Sequence, residues 1–172
     1  MKKILNIFLI AAVLISSLGF SALADDEVVR KWQEVGVIKG NGYGDWGLDA
    51  ELKRAELIAM INRMFGMENE TKPEYTDVES GVWYYDEVVA AVQSGYLVDK
   101  GSFRGEESIT WAETVNTVVR STGISAPVTA RDIAIAERKS TEESAYAAAV
   151  LDKRGICSRM SYSETLTKRE AL

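Results

Sequence analysis

Trp46-Gly-Leu-Asp-Ala-Glu-Leu-Lys-Arg-Ala-Glu56, Phe103-Arg-Gly-Glu-Glu-Ser-Ile-Thr-Trp-Ala-Glu113 and Met160-Ser-Tyr-Ser-Glu-Thr-Leu-Thr-Lys-Arg-Glu170 align without a gap. The closing glutamates stand 57 residues apart twice. So do the bulky apolar residues that open each stretch, Trp46, Phe103 and Met160. One such match arises by chance; two equal steps make chance a poor account. A fixed period of tens of residues marks a repeat array, in which single units cannot bury their own apolar faces and neighbours share a core.

Upstream of each motif lies an apolar stretch that ends in glycine. These are Val28-Val29-Arg-Lys-Trp32-Gln-Glu-Val35-Gly36-Val37-Ile38, Val88-Val89-Ala-Ala-Val92-Gln-Ser-Gly95-Tyr96-Leu97 and Ala147-Ala-Ala-Val150-Leu151-Asp-Lys-Arg-Gly155-Ile156. Glycine there fits a left-handed helix C-cap. Downstream, Leu57, Ile58, Ile61, Met64 and Phe65 space as one helical stripe, as do Trp111, Val115, Val118 and Val119. Gly66 and Gly123 stop these two helices. Ser108 and Thr110 are candidate N-caps, whereas Lys53 offers no acceptor. The unit is therefore helix, glycine stop, loop, short extended segment, helix. Pro73 and Pro127 fall between units. The expected fold is mainly α, a pseudo-threefold bundle of three helix-loop-helix units over 25–66, 67–123 and 124–172.

Composition removes whole classes of function. The 172-residue chain has no histidine, one cysteine (Cys157) and a net charge of −6. Without histidine there is no Ser-His-Asp or Cys-His nucleophile and no zinc site that uses His. One cysteine excludes an intramolecular disulfide framework and a cysteine metal cluster. Its expected role is that of a small buried apolar residue. The acidic balance opposes a broad nucleic-acid footprint. Residues 1–24 read as a secretory signal: Lys2 and Lys3, the mostly apolar run Ile4 to Leu18, then the Ala22-Leu23-Ala24 cleavage box. That run is shorter than the ~20 residues of a spanning helix, and no later stretch is expected to enter a membrane. Cleavage would remove two lysines and no acids, leaving a more acidic, secreted chain.

Taken together, Tyr75-Thr-Asp77-Val78, Trp83-Tyr-Tyr-Asp-Glu-Val88, Gly95-Tyr-Leu, Gly101-Ser-Phe103 and Ile109-Thr110-Trp111-Ala112-Glu113 resemble a complete S-layer homology repeat. Leu52-Lys53-Arg54-Ala55-Glu56 and Leu166-Thr167-Lys168-Arg169-Glu170 match its final motif. The resemblance spans 25–172, strongest in the second unit and weakest in the third. It implies a pronged, three-repeat helical domain that attaches secreted proteins non-covalently to the cell wall. It also implies the ligand, a secondary cell-wall polysaccharide often carrying pyruvylated amino sugar, held in grooves between repeats. In the family the motif arginine meets the acidic ketal. Here that position holds Arg54, Trp111 and Lys168. Trp111 cannot grip a carboxylate, and Lys168 can do so only as a point charge. The third unit lacks a clear Asp-Val and Trp, and the chain stops two residues past Glu170. A truncated or degenerate third repeat is therefore expected.

The residues expected to serve glycan binding are Lys53, Arg54, Glu56, Asp77, Trp83, Thr110, Glu113, Thr167 and Lys168. Arg54 with Lys53 would meet the acid group, Lys168 would be a weaker second cation, and Trp83 and Asp77 would shape a groove. A solvated first-turn arginine is the commoner state for a residue like Arg54; the resemblance reverses those odds. Glu56, Glu113 and Glu170 recur at one register near a helix start, where capping and the helix dipole account for them before ligand contact does. One carboxylate per repeat, in the same role each time, argues against paired-carboxylate glycosidase chemistry. No catalytic residue, metal or cofactor is expected. The Gly40–Gly47 loop has no Gly-Lys-Ser/Thr sequel for phosphate, and Asp45 and Asp49 do not match a calcium loop. The stretch Ala126 to Ser144 reads as a solvated linker or helix face. The alternative function is protein interaction, with another envelope protein or a second copy of the chain covering an apolar face.

Overall fold

The computed structural model describes residues 22–40, 45–67, 75–98, 101–137, 142–156 and 164–172. Most of the proposed signal, together with Cys157, Met160 and the centre of the Gly40–Gly47 loop, lies outside the described residues. Six helices make the fold mainly α: α1 (Ala22–Glu34), α2 (Arg54–Phe65), α3 (Tyr85–Gln93), α4 (Trp111–Thr122), α5 (Ala130–Glu137) and α6 (Glu142–Lys153). Among the described residues no helix is long and apolar enough to cross a membrane.

The helix ends follow from the residues that stand there. Gly66 and Gly123 cap α2 and α4 at φ 62° and 65°, in the left-handed region. Gly36, Gly95 and Gly155 take φ of 77°, 78° and 71° after α1, α3 and α6. Each ends its helix in a conformation that costs an L side chain energy and costs glycine none. At the N-termini a glutamate reaches back to the cap. Glu113 Oε2 accepts from the Thr110 N–H at 3.0 Å, and Glu170 Oε2 accepts from the Thr167 N–H at 2.7 Å. Glu56 Oε2 accepts from the Lys53 N–H at 3.0 Å. This reciprocal cap explains the fixed distance between the Thr or Lys and its Glu.

Just before these caps the chain is extended, and the three extended pieces pair with one another. Glu51 bridges Thr167, Lys53 bridges Ser108, and Thr110 bridges Thr165, all antiparallel. Every one of these positions has counterparts 57 residues away, so the three bridges form a closed cycle. The Leu52 N–H donates to the Leu166 carbonyl at 2.8 Å, and the Ile109 N–H donates to the Leu52 carbonyl at 2.9 Å. The flanking bonds keep the same step: Arg54 N–H to Glu107 O, Trp111 N–H to Glu164 O and Lys168 N–H to Ala50 O, at 3.0, 2.9 and 3.1 Å. Leu52, Ile109 and Leu166 point inward and are essentially inaccessible. On the outer side Glu51 accepts from the hydroxyls of Ser108 and Thr165.

Two cores hang from this ring. The larger contains Leu52, Leu57, Ile58, Ile61, Val88, Tyr84, Phe103, Ile109 and Leu166. It joins α2 to α3, which pack on each other. A buried polar chain runs through the same contact. Tyr96 Oη donates to Asn62 Oδ1 at 2.7 Å, and Asn62 Nδ2 donates to the Glu87 carbonyl and carboxylate at 2.8 Å each. Burial, and then the Glu87 charge, push the Tyr96 phenol well above its ordinary value. The smaller core is mostly alanine: Ala112, Ala136, Ala145, Ala147, Ala148 and Ala149, with Val115 and Leu151. There α6 packs on both α4 and α5. The stretch read as linker or helix face thus contains α5, which buries Ala136 and is tied to α6 by a 3.1 Å Lys153–Asp132 ion pair. Donors from the Thr129 N–H and hydroxyl, then Lys153, hold the Asp132 carboxyl down at about 2.

Candidate inter-unit groove

The cycle of extended segments sets each motif cation against the next unit's glutamate. Arg54 Nη1 lies 2.9 Å from Glu113 Oε1, and Lys168 Nζ lies 2.8 Å from Glu56 Oε1. Both cations are 12% exposed at the side chain, so these are inter-unit fastenings rather than open surface charges. Burial by itself would raise the Glu113 carboxyl. The Arg54 hydrogen bond and charge, with the Thr110 donors, outweigh it and hold Glu113 below its ordinary value.

Beside the Lys168–Glu56 pair a groove of about 190 Å³ opens. Ile38 and Lys39 form one rim, just past the end of α1. Glu56, Ala59, Met60 and Arg63 supply a face of α2, with Trp83 and Lys168 completing the lining. Three cations face one carboxylate, so the groove is electropositive on a chain of net charge −6. Lys168 is held by Glu56 and, at 3.4 Å, by the Trp46 carbonyl. Arg63 is held by Glu87 at 3.4 Å and the Val37 carbonyl at 3.3 Å. Lys39 is exposed and has no ion pair among the described residues. Trp83 is 55% exposed. Its Nε1 donates to Glu106 at 2.9 Å, and it meets Tyr84 edge-on. The volume is below the ~300 Å³ of the smaller drug-sized clefts. It suits one terminal group on a longer polymer rather than an engulfed small molecule.

The groove gathers Glu56, Trp83 and Lys168 of the sequence-proposed set. Arg54 and Lys53 do not join them. Arg54 faces the next junction, and Lys53 lies in the extended ring with Nζ 3.2 Å from Ser108 Oγ. Thr110, Glu113 and Thr167 are engaged in helix-start caps. Asp77 clasps a loop: Oδ1 accepts from the Phe103 N–H, while Oδ2 accepts from the Arg104 N–H and Ser102 Oγ, all at 2.7 Å. Burial opposes the Asp77 charge, but these donors prevail and keep its carboxyl low. The clasp leads the chain into Gly105, where a Cβ would come within 2.7 Å of the Tyr84 ring. Lys39 and Arg63 escaped the sequence reading. A signal for Arg63 was present: Arg120 stands 57 residues later.

No family model matches the chain. It is 32% identical to a surface layer protein of Brevibacillus choshinensis, over 72% of this chain and 13% of that protein. It is 29% identical to a middle cell wall protein of Brevibacillus brevis, over 72% of this chain and 14% of that one. A further match, 37% identical, covers 49% of this chain and 5% of an amylopullulanase from Thermoanaerobacterium thermosulfurigenes. The chain spans about one seventh of the two cell-envelope relatives.

Proposed function

We propose that this protein is a cell-surface attachment module. It would hold to the envelope without covalent bonds by binding an anionic, pyruvylated secondary cell-wall polysaccharide in the grooves between three S-layer-homology-like repeats, 25–66, 67–123 and 124–172. The observation that carries the reading is the groove itself, with Lys39, Arg63 and Lys168 beside an exposed Trp83. Cations supply charge-assisted hydrogen bonds to a ketal carboxylate. The indole offers a flat apolar surface for a sugar face. The similarity to proteins named for the surface layer and the cell wall supports the same location for this chain. A shared stretch in an amylopullulanase fits a module that attaches to varied partners. Glu56 is occupied by its cap and by Lys168, which fits binding rather than acid–base turnover.

The test is co-sedimentation of the protein with wall sacculi before and after acid stripping of the non-peptidoglycan polymer. Binding that disappears on stripping, and weakens with added salt, is the expected result. A folded protein that ignores both preparations would overturn the reading and put a protein partner in the polymer's place.

A further inference from the structure

Arg104 is the one non-glycine residue with positive φ, 56°, among the described residues. Its counterpart 57 residues earlier is Gly47, at φ 58°. The backbone at this place in the unit is thus left-handed in both copies, and glycine satisfies it without strain. An arginine there is retained against the backbone's preference. Strained positions of this kind persist where surrounding contacts over-determine them, and they concentrate at functional sites. The Asp77 clasp supplies that over-determination by gripping the Phe103 and Arg104 amides.

The side chain so placed reaches the second junction. Arg104 Nη2 is 3.7 Å from Glu113 Oε1, the same oxygen that Arg54 Nη1 approaches at 2.9 Å. Arg104 Nη1 also meets Glu107 at 3.2 Å. Two guanidinium groups therefore converge on one carboxylate oxygen. Arg54 is largely covered, and its buried Nε has no hydrogen-bond partner among the described residues. Arg104 is 52% exposed. In the first groove the matching place is bare, since a Cβ on Gly47 would lie 3.6 Å from Lys168 Nζ. The two grooves thus differ by one cation at a fixed position beside the motif cation.

We infer that Arg104 is a specificity-determining contact. It adds a solvent-facing guanidinium to the Arg54–Glu113 junction, and this second groove takes an acidic glycan group through Arg104 while Arg54 stays paired with Glu113. The inference rests on the anionic-glycan reading above. Asp77 is on this account a positioning residue, acting through the backbone of Arg104.

The test compares the wild-type protein with Arg104→Gly and Arg104→Lys on unstripped and stripped sacculi, with a melting temperature for each. Arg104→Gly should raise the melting temperature, because glycine relieves the left-handed backbone. It should also weaken binding to unstripped sacculi roughly tenfold, the loss expected for one charge-assisted contact. Arg104→Lys should keep most of the binding. If Arg104 served only to pair Glu107 and Glu113, Arg104→Gly would lower the melting temperature and leave binding intact; that result overturns the inference while the attachment reading stands. If the wild-type protein itself does not sediment with unstripped sacculi, the attachment reading fails and the inference fails with it.

Discussion

Arg54 and Trp111 occupy the same place in successive units and close their junctions by different physics. Arg54 reaches Glu113 in a largely covered ion pair. Trp111 packs against both the large core and the alanine core. Its buried Nε1 has no hydrogen-bond partner among the described residues. The glutamate that follows in sequence, Glu170, is met by the Thr167 cap. The contrast follows from what each junction must join. Around Arg54 the neighbouring units already share Leu, Ile, Tyr and Phe side chains, so a charge pair suffices to set the register. Where the third unit offers mostly alanine, an aromatic supplies the apolar area that methyl groups cannot. Alanine lets α4, α5 and α6 approach closely and favours their helices, but each alanine removes little surface from water.

The largest effect should come from the residue that carries the third segment into the large core. Leu166→Ala is expected to cost about 2–5 kcal/mol, as for other fully buried leucines, read by denaturant unfolding. A cost below about 1 kcal/mol would mean that the third segment is loosely attached and the two junctions are not comparable. Trp111→Arg comes next. It restores the motif cation opposite Glu170, a gain of at most about 1 kcal/mol for a partly exposed pair. It also removes the packing between the cores, so a net loss of about 1–3 kcal/mol is expected. A stabilised variant would show that charge, not packing, closes this junction.

The smallest effects separate the glutamates. Glu113→Gln keeps an acceptor for the cap but strips Arg54 of its counter-charge; about 1–2 kcal/mol should be lost. Glu170→Gln should lose less than about 0.5 kcal/mol, because no cation is given up. The pH dependence carries the same contrast. The Glu113 carboxyl is held below its ordinary value, so its contribution is complete above the unfolded carboxylate range near ~4 and fades as pH falls through the lower folded value. Unfolding measured at pH 7 and across pH 4.5 to about 2 should show this component in the wild type and not in Glu113→Gln.

Much of this arrangement was legible in the sequence. The 57-residue step, the glycines that end the helices and the Thr–Glu caps are local rules, and each marks its own position. The helix α5 was harder to read. It is short and charged, with Ile135 exposed and only Ala136 buried, so its pattern carries little periodic signal. The site was legible in part. Glu56, Trp83 and Lys168 lie together, but Lys39 and Arg63 enter the groove only because the extended ring brings the end of one helix, a face of another and a distant motif to one place. Arg54 shows the limit of motif reasoning. A sequence motif says that a cation belongs there, not that a glutamate from the next unit will cover it.

Lys39 provides the most direct test of groove binding, because it lines the groove, is exposed and holds no other part of the described structure in an ion pair. Lys39→Ala should melt with the wild-type protein and bind unstripped wall sacculi about tenfold more weakly, with a shallower dependence on salt. Equal binding at every salt concentration, in a variant of unchanged stability, would contradict the claim that this groove receives the anionic polymer.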